Sequence, residues 1–231
     1  TSAAKVATIK PKPTASFTAG GATTFCSGGS VTLTAPSTQG YTYAWLANGM
    51  SSGVGNSKLV KTAGLYTVVA KLGTCTDTAM NAVNVLVNPL PVANIAATSP
   101  TSFCSDALCA VNVTATPSIG NYTYFIFYGT MSSNSANPIF VVNVAATVKA
   151  MVTDNNTGCV SKLSASSIKT TVIANPTPTI TPSGSVSIAV SGNVKLNASP
   201  TAGVSWQWYK NGVAILGATT KSYTATTAGS Y

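Results

Sequence analysis

The chain contains no glutamate, no arginine and no histidine, and its only acidic residues are Asp77, Asp106 and Asp154. Each absence removes a class of chemistry. Without histidine or glutamate the commonest general bases are missing, and neither a Ser-His-Asp nor a Cys-His catalytic set can be assembled. Zinc would call for imidazoles or a Cys-x-x-Cys pair, and the sequence offers neither. Calcium sites gather several carboxylates. Here the three aspartates stand far apart, with Asp77 and Asp154 near hairpin turns, where aspartate commonly serves as a turn residue. The sequence reads as non-enzymatic, with no catalytic, metal-binding or cofactor-binding residue.

Charge of either sign is scarce. Charged residues make up 6% of the chain, and twelve lysines against three aspartates leave a net charge of +9. Only Lys10 and Lys12 form a close pair. Nucleic-acid recognition draws on clustered basic residues and on the arginine fork, so no nucleic-acid partner is expected. The diffuse charge instead favours solubility and weak attraction to anionic surfaces. No run of 18 apolar residues occurs, which leaves no candidate membrane-spanning helix. The first ten residues lack the apolar segment of a signal peptide, so a leader is expected to have been removed or to lie far upstream.

What remains is a β-forming alphabet. Thr, Ser, Ala, Val, Asn and Gly dominate, and 45% of the residues are hydrophobic. Their alternation with polar residues favours strands over helices or disorder, and the expected fold class is all-β. The organising stretch is Tyr41-Thr-Tyr-Ala-Trp-Leu-Ala-Asn-Gly49, an alternating strand that stops at an Asn-Gly turn signal. It returns as Val204-Ser-Trp-Gln-Trp-Tyr-Lys-Asn-Gly212, and in degraded form as Tyr122-Thr-Tyr-Phe-Ile-Phe-Tyr-Gly129. Trp45, Ile126 and Trp208 share one position and are expected to be buried between two sheets.

The same period marks the boundaries. Pro-x-Pro occurs at Pro11-Lys-Pro13, Pro89-Leu-Pro91 and Pro176-Thr-Pro178, about 80 to 90 residues apart, the scale of a small sandwich domain. Residues 1–10 then read as the last strand of a preceding repeat. Residues 11–90 form a first repeat, 91–175 a divergent second, and 176–231 a third that stops before its final strands. Stiff proline junctions favour an extended rod. The missing strands at both ends imply a window on a longer protein, with strand exchange between chains as the alternative. Gly64-Leu-Tyr66 and Gly229-Ser-Tyr231 match a tyrosine corner, whose hydroxyl bonds back to nearby backbone. Tyr66 and Tyr231 are therefore expected core aromatics, whereas the corresponding Val144-Ala-Ala-Thr147 has lost both the glycine and the tyrosine.

Taken together, Cys26-x-Gly-x-Ser-Val-Thr-Leu-Thr-Ala, Tyr-x-Trp-x-x-Asn-Gly, Ala-Gly-x-Tyr-Thr-Val and Gly-x-Cys before an Asn-Pro-x-Pro boundary resemble the immunoglobulin-like repeats of giant secreted proteins of Bacteroidota. Those include the SprB-like surface adhesins of gliding cells, exported by the type IX secretion system. The resemblance implies tandem immunoglobulin-like β-sandwiches at the cell surface, outer-membrane-attached or secreted, acting as stalk and adhesin in surface attachment or gliding motility. Its implied partners are neighbouring repeats of a longer chain, surface polysaccharide, and the secretion or motility machinery. A glycan-binding module and an appendage of a secreted hydrolase are the alternatives, because sandwich repeats serve all three roles.

Five cysteines in a chain of secreted character read as two bridges and one left over. Cys26 precedes an early strand and Cys75 sits on a late hairpin, with Cys104 and Cys159 at matching places in the second repeat. The expected bonds are Cys26–Cys75 and Cys104–Cys159, with Cys109 unpaired. A Cys109–Cys159 bond and buried free thiols stay open as alternatives. Asp77-Thr78-Ala79 resembles the acceptor tripeptide for O-glycosylation in Bacteroidota, which makes Thr78 a candidate site. Tyr41, Tyr122, Tyr128 and Tyr209 could stack on sugar rings or pack against neighbouring strands.

Overall fold

The computed structural model describes Ile9 and residues 11–231, and within them it contains strands, turns and no helix. The reading of residues 1–10 as a strand lies outside the described residues. The backbone divides into two compact units. One holds the described residues through Thr101 together with Cys109–Thr170, and the other holds Ser102–Leu108 with Thr171–Tyr231.

The first unit begins with β1 (Thr18–Ala19), β2 (Thr24–Cys26), β3 (Val31–Thr34), β4 (Tyr41–Ala47), β5 (Met50–Val54), β6 (Ser57–Val60), β7 (Gly64–Leu72), β8 (Cys75–Thr78) and β9 (Val83–Asn88). Strands β1-β3-β6 form one sheet, and β2-β9-β7-β4-β5 the other, with β8 added to β7. Alternation decides which side chains face inward. Val31 and Leu33 of β3 and Val60 of β6 meet Tyr43 and Trp45 of β4, Val68 and Ala70 of β7 and Val85 of β9 in one buried cluster. Two sheets closing over one core make a β-sandwich. Trp45 is fully buried, its ring edge-on to Phe17 with centroids 5.4 Å apart. Its indole N–H donates to the Gly55 carbonyl at 2.9 Å.

The β4–β5 turn shows why the sequence places Asn-Gly there. Asn48 and Gly49 both adopt positive φ, 50° and 79°, the geometry that lets a two-residue hairpin follow strand twist. The Asn48 carboxamide also accepts the Leu65 N–H at 2.8 Å, so the turn braces the start of β7. Two residues later the Tyr66 hydroxyl meets Thr62 Oγ1 at 2.8 Å and reaches the Thr62 carbonyl at 3.2 Å.

A second sandwich in the same unit is built from β10 (Val92–Ala97), β12 (Cys109–Thr116) and β15 (Ile139–Val142) facing β13 (Tyr122–Tyr128), β14 (Met131–Ser135), β16 (Thr147–Asp154) and β17 (Ile168–Lys169), with β11 (Ser102–Cys104) falling between β10 and β12 in sequence. Its register repeats that of the first. Trp45 stands opposite Val68 and Ile126 opposite Ala150, while Tyr41 stands opposite Leu72 and Tyr122 opposite Asp154. Where the tyrosine corner is lost, Thr170 takes its place. Its hydroxyl donates to the Val144 carbonyl at 2.6 Å and accepts the Ala146 N–H at 3.0 Å. Beside β16, buried Ser161 and Ser164 accept the Val152 and Ala150 N–H groups through their hydroxyls, covering an edge that β8 covers in the first sandwich. None of these three residues carries a local sequence signature of that role.

The other unit pairs β11 in parallel with β18 (Thr171–Ile173) and contains β19 (Thr179–Thr181), β20 (Val194–Ser199), β21 (Tyr209–Lys210), β22 (Val213–Ala214) and β23 (Ser222–Ala225). Leu196, Ala198, Trp208 and Ala225 are its buried core, with Tyr231 packed half-buried against them. Asn211 and Gly212 repeat the positive-φ turn, and Asn211 again accepts an N–H, that of Ser230, at 2.9 Å. Tyr231 likewise donates to the Thr227 carbonyl at 2.9 Å. The aromatic stretch from Val204 was expected as a full strand, but only Tyr209–Lys210 is one. In the first sandwich the corresponding strand is held along its whole length by β7, whereas here Tyr209–Lys210 pairs with Val213–Ala214.

Candidate functional site

The only disulfide among the described residues joins Cys26 to Cys159, with Cα atoms 5.6 Å apart. This corrects the expected Cys26–Cys75 and Cys104–Cys159 pairings, and strand register explains why. Cys26 ends β2 opposite Asn88, the last residue of β9. Strand β9 runs antiparallel to β7 with Val85 opposite Gly64, so Asn88 projects beyond the start of β7. Cys75 faces Leu72, at the other end of β7. About 11 residues at about 3.3 Å each separate the two levels, roughly 35 Å. A disulfide tolerates Cα separations of only about 7 Å. Within one sandwich the two cysteines lie at opposite ends.

Cys159 meets Cys26 because it occupies the facing end of the next sandwich. Its carbonyl accepts the Asp154 N–H at 2.9 Å, closing a turn at the end of β16. Tyr122, opposite Asp154, donates its hydroxyl to the Pro117 carbonyl at 2.9 Å, just past the end of β12. Thr116 of β12 pairs with Val92, the first residue of β10. The end that carries Cys159 is thus the end into which the chain enters from Pro89-Leu90-Pro91. Cys26, beside Asn88, sits at the end from which the chain leaves. The disulfide and the Pro-x-Pro segment therefore cross the same junction side by side.

Proline chemistry stiffens that junction. Pro91 is buried, as is Pro13 at the corresponding place before β1, and each ring fixes φ and constrains its predecessor. A single peptide connection still leaves torsional freedom between two bodies. A second covalent connection beside it removes most of that freedom.

The remaining cysteines are free: Cys75 half-buried, Cys104 exposed, Cys109 buried. Cys109 has no exposed surface at the start of β12, and it takes no part in a Cys109–Cys159 bond, since Cys159 is already committed. Thr78 is exposed on β8, and the preceding Asp77 does more than shape a turn. Its carboxylate pairs with the Lys12 ammonium at 2.6 Å and accepts the Ala15 N–H at 3.3 Å. The hydrogen bond from Lys12, then that from Ala15, holds the Asp77 carboxyl below its ordinary value of 3.8.

The tyrosines that could stack on sugar rings differ in exposure, with Tyr128 half-buried on β13. Tyr122 is buried, Tyr41 packs against the first core, and Tyr209 is half-exposed in the other unit. The second sandwich instead carries a shallow depression on the outer face of β13, β14 and β16, lined by Phe125, Phe127, Met151, Ser132, Ser133 and Asn134. Aromatic faces beside hydroxyls and an amide suit the apolar face of a sugar ring. Among the described residues no three His, Cys, Asp or Glu side chains come together, and no helix is long and apolar enough to cross a membrane.

No family model matches the chain, and no curated protein matches it. Among solved structures it is similar to the human OSCAR ligand-binding domain, at 13% identity over 69% of this chain and 100% of that one, with a TM-score of 0.30. It is similar to the fibronectin(III)-like modules of CbhA from Clostridium thermocellum, at 11% identity over 68% and 95% of the two chains, with a TM-score of 0.37. A third similarity is to three N-terminal domains of the highly immunogenic outer capsid protein of bacteriophage RB49, at 14% identity over 94% and 80%, with a TM-score of 0.30.

Proposed function

We propose that this chain is a non-enzymatic stretch of immunoglobulin-like repeats in a larger secreted protein, holding an adhesive surface away from the cell. The observation that carries this reading is the Cys26–Cys159 bond laid beside the Pro89–Pro91 connection. A covalent fastening between sandwiches suits a spacer whose repeats keep a fixed mutual orientation. Disulfides persist outside the reducing cytosol, which supports an extracellular place of work. Divisions at 11–90, 91–175 and 176–231 follow the recurrence of the Pro-x-Pro and Trp/Asn-Gly motifs. In this reading the partners are adjoining repeats and, at the Phe125–Phe127 depression, surface polysaccharide. Attachment and gliding driven by type IX export remain the role that the motif resemblance implies.

Small-angle scattering of the oxidised chain tests the spacer reading. A compact body of this length has a radius of gyration of about 17 Å. Three sandwiches in line should give a value well above that, and one that increases in spread when Cys26 is replaced by Ser. A radius near the compact value would overturn the spacer reading.

A further inference from the structure

We propose that Cys75 and Cys104 are the two open halves of further inter-repeat disulfides, each made to bond the complementary cysteine of an adjoining immunoglobulin-like repeat. The argument rests on equivalence of position, established by strand register. Tyr41 faces Leu72 and Cys75 faces Leu72. In the second sandwich Tyr122 faces Asp154 and the Cys159 carbonyl bonds the Asp154 N–H. Thr76 stands opposite Lys71, and Val160 bridges to Thr153. Cys75 and Cys159 are therefore the same hairpin residue in successive repeats.

Cys26 and Cys104 match in the same way. Each follows a phenylalanine and ends a three-residue strand paired in parallel with the strand that leads into the next Pro-x-Pro, Cys26 opposite Asn88 and Cys104 opposite Ile173. The second contact falls two residues further from its Pro-x-Pro, which preserves the side-chain alternation. Both strand-end cysteines precede a junction, and both hairpin cysteines belong to the end that receives one.

The bond present in the structure joins a strand-end cysteine of one repeat to the hairpin cysteine of the next. Of the four, the two left over are one of each kind, and neither is buried out of reach: Cys75 is half-exposed and Cys104 exposed. The register-equivalent residues bonded to each other within the same chain say what the free thiols take. Cys75 takes a strand-end cysteine, and Cys104 takes a hairpin cysteine. Cys109, buried at the start of β12 and without a counterpart in the first sandwich, is not part of the scheme.

In forming such a bond, two thiols become one disulfide. Their two electrons and two protons pass to the disulfide of a thiol–disulfide oxidoreductase, which leaves as a dithiol after a mixed-disulfide intermediate. The complementary repeat can belong to the same polypeptide or to a second copy of it, and the chemistry at Cys75 is the same in either case.

The inference rests on the spacer reading but fails separately from it, since an extended array can stand with Cys75 and Cys104 reduced. The test is disulfide mapping of the protein isolated from its producing cells with thiols blocked at lysis. Cleavage after lysine and before aspartate puts each of the five cysteines on its own peptide, because Lys58, Lys71, Asp77, Asp106 and Asp154 fall between them. The expected result is Cys26 joined to Cys159, with Cys75 and Cys104 each joined to a cysteine of another immunoglobulin-like repeat. Undigested protein that falls to a smaller size on reduction identifies a second copy, and undigested protein whose size reduction leaves unchanged identifies the same polypeptide. Recovery of Cys75 and Cys104 as blocked free thiols or as adducts of a small thiol would overturn the proposal, as would a Cys75–Cys104 bond within one chain.

Discussion

Replacing Trp45 by alanine is the sharpest probe of the first sandwich. The indole is fully buried between the two sheets and meets the Phe17 ring in a T-shaped contact. A tryptophan buries about 200 Å², which at about 25 cal/mol per Å² corresponds to roughly 5 kcal/mol. Alanine retains a part of that, and relaxation around the cavity recovers another part, so a loss of about 3–5 kcal/mol is expected. The lost hydrogen bond to Gly55 adds little, because Gly55 is exposed and water can replace the donor. Packing therefore decides the outcome. A protein with more than one core does not unfold in one step, so the assay should be local. Amide hydrogen exchange reports the opening free energy of each segment. Peptides covering Val31–Thr34 and Gly64–Leu72 should lose about 3–5 kcal/mol of protection. Those covering β13 and β16, around Ile126 and Ala150, should change by less than about 0.5 kcal/mol, as for distant sites. A change under about 1 kcal/mol in β3 and β7 would refute Trp45 as the centre of that core. An equal change in the second sandwich would refute the independence of the two cores.

Asp77 should titrate below its ordinary value of 3.8 because Lys12 and the Ala15 amide favour its carboxylate. A depressed folded-state pKa means that its contribution is present above the unfolded value and is lost as pH falls through the folded one. The tether on residues 12–15 should hold at neutral pH and weaken only below about pH 4. Carboxyl-detected NMR checks this, and a pKa at or above the ordinary value in the native protein would contradict it. Removing the hydroxyl in Tyr66→Phe deletes the contact with Thr62 while leaving the buried ring. A loss of about 0.5–1.5 kcal/mol in the protection of β7 is expected from one hydrogen bond, and no loss would show that the corner is held by packing alone.

The parts of the fold that the sequence announced are those whose cause is local. Asn48-Gly49 and Asn211-Gly212 specify their turns because few other residues accept positive φ at two successive positions. The alternation in Val31–Thr34 and Gly64–Leu72 names the core face directly. The disulfide pairing is not legible in the sequence for the opposite reason. Recurring sequence positions showed that Cys26 and Cys75 are repeated, but not that they stand at opposite ends of a sheet, which depends on the direction of β9 against β7. Thr170, Ser161 and Ser164 carry no signal because a buried hydroxyl that replaces a lost tyrosine or strand reads as ordinary surface Ser and Thr. The short Tyr209–Lys210 strand shows the limit of motif matching, since Trp208 keeps its place in a core while ladder pairing covers only two residues of the stretch.

The Cys26–Cys159 bond also decides how the chain responds to being pulled. The bond is separated by 133 residues in sequence, and nearly all of both cores in the first unit lies inside that interval. Tension entering from one side reaches Cys26, crosses the sulfur atoms and leaves from Cys159 without loading the backbone between them. At about 3.5 Å per extended residue, roughly 450 Å of contour is kept out of reach of the force. Only the flanks can be peeled away: the segment before Cys26 with β1 and β2, and the segment after Cys159 with β17. Pulled from its two sides, the chain is short and stiff while the bond is intact and long and yielding once it is reduced.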